Sequence, residues 1–371
     1  MKTFGTRKSR QAGLHRVRVL VDSLADKGLP NAQMSNAREI IRRLNPERFH
    51  ISTFHFRDPD EAIARRPNTR LIPLPDRRQT VRIAREFIFG AYDILFYVKS
   101  SPASRLYMGW RQRFRDKRVT VGTIESQANL RQEATITEQN VRLWEQTVLR
   151  CDYLFSNSSS VKRSLSSQYG LSSELMPTGV DTQFFSPDRN RASNIRPRVL
   201  FVGSLRPFKQ PNLLLDAASR FQQADFLLAG DGLMARELNE RIGRAALNNV
   251  TLLGVLGAEQ LRQEYQRADV FLFPSVWEGS PKVILEAAAC GLPVIARQSY
   301  SPETVLDGKT GYLVDSDEEL FIRLEELLSS GERRRAFGEA GRKHILQYDW
   351  DLITGRWEEI FLSLSKVARV A

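Results

Sequence analysis

Apolar residues in this chain fall into short runs, and the segments between them carry apolar positions three and four residues apart. Short continuous runs read as buried strands and the longer spacing reads as helices. Their alternation predicts an α/β fold with parallel sheets covered on both faces. In the first half, strands are expected at Val17–Val21, Phe49–Phe56, Ile94–Val98, Val119–Ile124 and Tyr153–Ser156. Asp22 to Gln33 reads as a loop, after which Ser35 caps a helix that buries Ala37, Ile40, Ile41 and Leu44. Ala103 to Arg115 reads as a helix with Leu106, Tyr107, Trp110 and Phe114 on one side. In the second half, strands are expected at Val199–Val202, Phe226–Ala229, Val250–Leu253, Val270–Phe273, Val294–Ala296 and Gly311–Val314. A helix is expected over Leu213–Phe221 and an amphipathic one from Trp350, using Leu352, Trp357, Ile360, Phe361 and Leu364.

The polar, aperiodic stretch Ser186–Asn194 divides the two series. The expected organisation is a basic tail (1–15), a first Rossmann-like domain (16–187), a linker (188–197), a second Rossmann-like domain (198–349) and a closing helix (350–371) packed toward the first domain. Ligands of such sheets bind beyond the carboxyl ends of the strands. Gly203, Gly230, Gly254 and Glu278 all follow strand ends.

The segment after Phe273 is the richest in chemistry. Glu278-Gly279-Ser280-Pro281-Lys282-Val283 turns into a helix that Gly291 ends, with Glu286 inside it among Val283, Ile284, Leu285 and alanines. Pro281 suits the first helical position, and the free N–H groups there favour phosphate or sugar oxygens. A carboxylate at Glu286 needs a partner, since burying it alone is costly. Gly203-Ser204-Leu205-Arg206-Pro207-Phe208-Lys209 places two cations on one loop after a strand, as a diphosphate requires.

The Glu278/Glu286 spacing, followed by Ala287-Ala288-Ala289-Cys290-Gly291-Leu292-Pro293-Val294-Ile295, resembles the signature of the group 1, or family 4, retaining glycosyltransferases of GT-B fold. The resemblance implies two Rossmann-like domains facing a central cleft and a nucleotide-diphosphate sugar as co-substrate, with UDP the first guess and GDP the second. It places Lys209 at the family's phosphate-loop lysine, with Arg206 standing in for an arginine the family has where Ser204 lies here. It implies that Glu278 holds donor sugar hydroxyls, Glu286 the ribose, and the amides of Gly279, Ser280, Lys282 and Val283 the phosphate or sugar oxygens around Pro281. Gly254, Val255 and Leu256 would hold the base, and Gly28 would approach the diphosphate. Relatives commonly place a His after the strand equivalent to Val119–Ile124; here Glu125 stands there, as a sugar-contacting group or a structural carboxylate. It implies a saccharide or lipid-linked acceptor, and neither a metal nor a nucleic-acid partner is expected. A nucleotide-sugar epimerase of the same fold, and a non-catalytic nucleotide-sugar or glycan-binding protein, are the competing readings.

Composition adds a location. Cys151 and Cys290 are the two cysteines, so no disulfide framework exists, and neither His nor Cys shows zinc-ligand spacing. The apolar stretch Phe87–Val98 contains Asp93 and is too short for a bilayer. The net charge of +12 is uneven: residues 1–190 carry 32 Lys and Arg against 19 Asp and Glu. An anionic partner for the first half follows. Recognition-helix and zinc-finger signatures are lacking, and no Gly-x-Gly-x-x-Gly accompanies Gly203, which argues against nucleic-acid and NAD binding. The expectation is a cytoplasmic protein, peripheral on an anionic membrane surface.

Overall fold

Strand and helix alternate from β1 (Val17–Leu24) through α1 (Ala32–Arg43), β2 (Phe49–His55), α2 (Glu61–Ala64), β3 (Thr69–Pro73), α3 (Gln79–Phe89) and β4 (Ile94–Phe96). The series continues with α4 (Pro102–Phe114), β5 (Val119–Ile124), α5 (Glu138–Gln146), β6 (Tyr153–Ser156), α6 (Ser159–Tyr169) and β7 (Glu174–Leu175). These strands form a seven-stranded sheet in the order β3-β2-β1-β4-β5-β6-β7. The computed structural model describes residues 16–27, 32–125 and 137–370. Gly28 and the basic tail lie outside them.

A second run comprises β8 (Arg198–Val202), α7 (Asn212–Arg220), β9 (Asp225–Ala229), α8 (Ala235–Arg244), β10 (Val250–Gly254), α9 (Ala258–Arg267) and β11 (Val270–Phe273). It ends with α10 (Lys282–Ala289), β12 (Val294–Arg297), β13 (Gly311–Val314), α11 (Asp317–Ser329), α12 (Gly331–Ile345) and α13 (Trp350–Val370). Its six strands pair in parallel in the order β10-β9-β8-β11-β12-β13. Val199, Leu200 and Phe201 of β8 and all of β11 are buried, as covering both sheet faces requires.

By compactness, residues 1–122, 143–152 and 357–371 form one unit and residues 123–142 and 153–356 the other. In the first unit, the end of α13 supplies core: Trp357 and Phe361 lie 4.7 and 4.9 Å from the Phe96 ring, and Phe361 lies 6.1 Å from Phe49. In the second, the irregular stretch before β8 is tied down. Arg191 and Asn194 both bond to the Asp269 carboxylate, at 2.6 and 2.7 Å.

Five local features depart from the sequence reading. Ser35 lies inside α1, which begins at Ala32, and β1 continues through Asp22 to Leu24. Strand β3 was hidden because it is a sheet edge whose Arg70 and Pro73 face outward. Two-residue β7 is too short to leave a pattern. In α13, Leu352 is 53% exposed and Ile353 takes the buried position.

Candidate active site at the strand ends of the second sheet

The second sheet changes direction between β8 and β11, since β9 and β10 are added on one side of β8 and β12 and β13 on the far side of β11. Loops leaving such a switch point diverge and open a crevice at the strand ends. Lys209, from the loop after β8, and Glu278, from the loop after β11, form an ion pair there, with side chains 14% and 13% exposed. Ser275 Oγ donates to Glu278 Oε1 at 2.6 Å. The Lys209 ammonium stands 4.9 Å from the Phe273 ring centroid and 5.3 Å from that of Phe208. Aromatic faces favour a cation held in this way. The Val276 N–H donates to the Phe208 carbonyl at 3.0 Å, lacing the two loops together. Arg206 sits on an exposed part of its loop and joins no ion pair among the described residues.

Three glycines end neighbouring strands. The Gly203 N–H donates to Ala229 O at 3.0 Å, and the Gly230 N–H donates to Gly254 O at 2.7 Å. Gly230 has φ +135°, and a Cβ there would sit 1.9 Å from the Gly203 carbonyl oxygen. Gly230 thus lets the end of β9 lie against the Gly203 backbone. Beyond Gly254, Val255 is 77% exposed and Leu256 is half-buried.

Helix α10 starts at Lys282 with Pro281 as its cap, one residue later than expected, and Gly291 follows its end at φ +81°. Ser280, Lys282 and Val283 are half-buried around this N-terminus, where the leading N–H groups lack intrahelical acceptors. Gly279 is buried, and a Cβ on it would lie 2.0 Å from the Glu125 carbonyl oxygen and 3.0 Å from Asn157 Oδ1. Asn157 Nδ2 donates to that same carbonyl at 3.1 Å. Glu125 is therefore brought to the Gly279 turn through its backbone.

Glu286 has the partner its surroundings demand. The Tyr265 hydroxyl donates to Glu286 Oε2 at 3.1 Å. Burial raises the Glu286 carboxyl above its ordinary range, while the Lys282 charge and the Tyr265 bond act the other way. Sequence reading missed Tyr265, Ser275, Phe273 and Asn157. Ser275 and Phe273 adjoin the motif in sequence, whereas Tyr265 and Asn157 give no signal. Among the described residues, no cluster of His, Cys, Asp and Glu is arranged to hold a metal ion.

Residues 183–344 match the family of glycosyl transferases group 1. The chain is 35% identical over 225 residues to the D-inositol 3-phosphate glycosyltransferase of Geodermatophilus obscurus, covering 52% of this chain and 50% of that one. The chain therefore spans about half the length of that curated relative. It is 28% identical over 342 residues to the GDP-mannose-dependent alpha-(1-6)-phosphatidylinositol monomannoside mannosyltransferase of Mycolicibacterium smegmatis, covering 80% and 85%. Among solved structures, sucrose-phosphate synthase of Thermosynechococcus elongatus matches with a TM-score of 0.78 at 21% identity, covering 94% of this chain and 99% of that one. The likeness establishes the fold as GT-B, with two Rossmann-like parallel sheets. Over residues 183–344, this chain is thus similar to the glycosyl transferases group 1.

Proposed function

We propose that this protein is a retaining, family-4-type glycosyltransferase that moves a sugar from a nucleotide-diphosphate sugar to a hydroxyl of a saccharide or lipid-linked acceptor in glycan or glycolipid synthesis, at an anionic membrane surface. The observation that carries the reading is the Lys209–Glu278 pair at the switch point, a cation and an acceptor-only group beside a helix N-terminus. The M. smegmatis relative, by its name GDP-mannose-dependent, supports a nucleotide-sugar donor and a lipid-linked acceptor. The donor is a UDP-sugar or a GDP-sugar.

In the proposed reaction, the bond between the anomeric carbon and the diphosphate oxygen breaks, and the nucleoside diphosphate leaves with the electron pair. The acceptor oxygen forms its bond on the same face, and its proton passes to the departing phosphate oxygen. Lys209 and the amides at Gly279, Ser280, Lys282 and Val283 meet the charge that grows on the diphosphate, with Arg206 as a second cation reaching in from solvent. Gly203 gives the diphosphate close backbone approach. Glu278 accepts from donor sugar hydroxyls, Glu286 from the ribose, and the Gly254–Leu256 backbone receives the base. Glu125 borders the reacting sugar.

Thermal-shift and calorimetric screening against UDP- and GDP-sugars, followed by NMR of the product's anomeric configuration, tests the reading. Binding of one donor class and product with the donor's own configuration are expected, with turnover persisting in EDTA because protein cations supply the charge. Inversion, or no binding of any nucleotide sugar, overturns it.

A further inference from the structure

We propose that the outer face of helices α3 and α4 in the first unit is the surface that docks on anionic phospholipid. This inference deepens the membrane part of the functional reading and rests on it. Both helices follow connections that run toward β5, from β3 to β4 and from β4 to β5, so right-handed crossovers place them on one face of the sheet. Their inner sides meet through Phe87 and Tyr107, whose ring centroids are 5.7 Å apart.

Their outer sides are apolar where solvent-facing helices are ordinarily polar. Val81 and Phe89 of α3 are 62% and 78% exposed, and Leu106 and Phe114 of α4 are 54% and 60% exposed. Each pair is separated by eight positions of helix, about 12 Å of rise, so exposed apolar side chains recur along both helices. Half-buried Trp110 packs against Phe114 at 5.3 Å on the same side.

Charge around this face is sorted by sign. Every carboxylate between residues 77 and 118 is engaged within the unit. Glu86 pairs with Arg70 and Arg82, Asp93 with Arg18, and Asp116 with Arg118. Arg85, Arg105, Arg113, Arg115 and Lys117 are all exposed and form no ion pair among the described residues. Arg111, which the sequence places in this basic run, belongs to the interior side, where it bonds to Asp152 at 2.7 Å and to the Arg118 carbonyl at 2.9 Å. Unpaired cations interleaved with exposed aromatic and aliphatic side chains complement an anionic lipid surface, where cations meet phosphates and apolar groups enter the acyl boundary. No helix among the described residues is long and apolar enough to cross a membrane.

Cosedimentation of the whole chain with phosphatidylcholine vesicles, with and without phosphatidylglycerol, tests this. The chain should pellet with the anionic vesicles alone and be released as salt is raised. Each cation near the surface contributes roughly fivefold, so R85S/R105S/R113S should weaken binding on the order of a hundredfold. F89S/F114S should weaken it while leaving the salt dependence in place. All five positions are exposed, so thermal unfolding should match the parent chain; if a variant fails to fold, the parent's dependence on anionic lipid and on salt still decides. Binding to neither vesicle or equally to both, retained binding by the triple arginine variant, or binding to heparin without binding to vesicles overturns the proposal. Nucleotide-sugar affinity measured on the same preparation separates the two readings. A chain that binds donor but no vesicle loses this inference alone, and one that binds vesicles but no donor loses the transferase reading.

Discussion

Tyr265 on α9 donates its hydroxyl to the Glu286 carboxylate on α10 at 3.1 Å, a bond that joins two helices and fixes the one acidic group inside α10. Burial raises the Glu286 carboxyl above its ordinary value of 4.5, so the folded chain holds this proton more tightly than the unfolded one. The group's contribution to stability is then complete below that ordinary value and is lost as pH rises through the raised one. Nucleotide binding runs the opposite way, because an ionised Glu286 is needed to accept ribose hydroxyls. Nucleotide affinity should fall on acidification at a pH where an ordinary glutamate is still ionised. Tyr265→Phe removes a bond that favours the charged form and should move this loss to higher pH, while Glu286→Gln should flatten the profile. Calorimetry across pH checks it; coincident profiles for the parent and Tyr265→Phe would remove Glu286 from the ribose site.

Lys209→Ala leaves Glu278 without its cation and the departing diphosphate without a counter-charge. By analogy with loss of one oxyanion donor, kcat should fall about 100- to 1000-fold, with a smaller change in donor affinity. Steady-state kinetics at saturating donor decides, and a change of only about threefold would mean that Lys209 is a structural partner of Glu278.

Gly230→Ala puts a Cβ where it would stand 1.9 Å from the Gly203 carbonyl oxygen, at a backbone φ of +135° that L side chains rarely adopt. Strain of this kind costs about 1–3 kcal/mol, and the Gly203 loop must shift as well. Thermal unfolding should show a clear loss of stability, and nucleotide binding should weaken with it. Unchanged values for both would show that the two loops move apart freely.

Phe361→Ala removes a fully buried ring that packs against Phe49, Phe96 and Trp357. The expected cost is about 3–5 kcal/mol. Denaturant unfolding followed by circular dichroism measures it, and a loss below about 1 kcal/mol would mean that the cavity collapses.

Strands β8 and β11 were legible because burial on both faces demands unbroken apolar runs, which Val199–Val202 and Val270–Phe273 provide. The Glu278–Glu286 segment was legible because turn, helix and glycine stop follow one another locally. What stayed hidden is long-range. Lys209 and Glu278 are 69 residues apart, and Tyr265 and Glu286 are 21 apart, so neither pairing leaves a periodic trace. Gly230 was read as a strand end, but its necessity comes from the Gly203 carbonyl on the neighbouring strand. Leu106 and Phe114 were placed on one side with Tyr107, yet they are exposed and Tyr107 is buried, since helical spacing alone does not say which apolar positions meet the sheet.

The position of Trp357 and Phe361 in the first unit has a consequence for synthesis. Domains are generally completed in the order in which the ribosome delivers them, amino-terminal part first. Here the aromatic cluster beneath Phe49 and Phe96 waits for rings encoded more than two hundred codons downstream of that unit's strands, after the whole six-stranded sheet has emerged. The first unit is therefore the last to close, and a chain stopped before α13 leaves Phe49 and Phe96 without the rings that cover them. A ribosome-bound series truncated ahead of residue 357 should accordingly bind chaperones and apolar dyes until α13 is released. Helix α13 thus acts as the checkpoint for strands made more than two hundred residues before it.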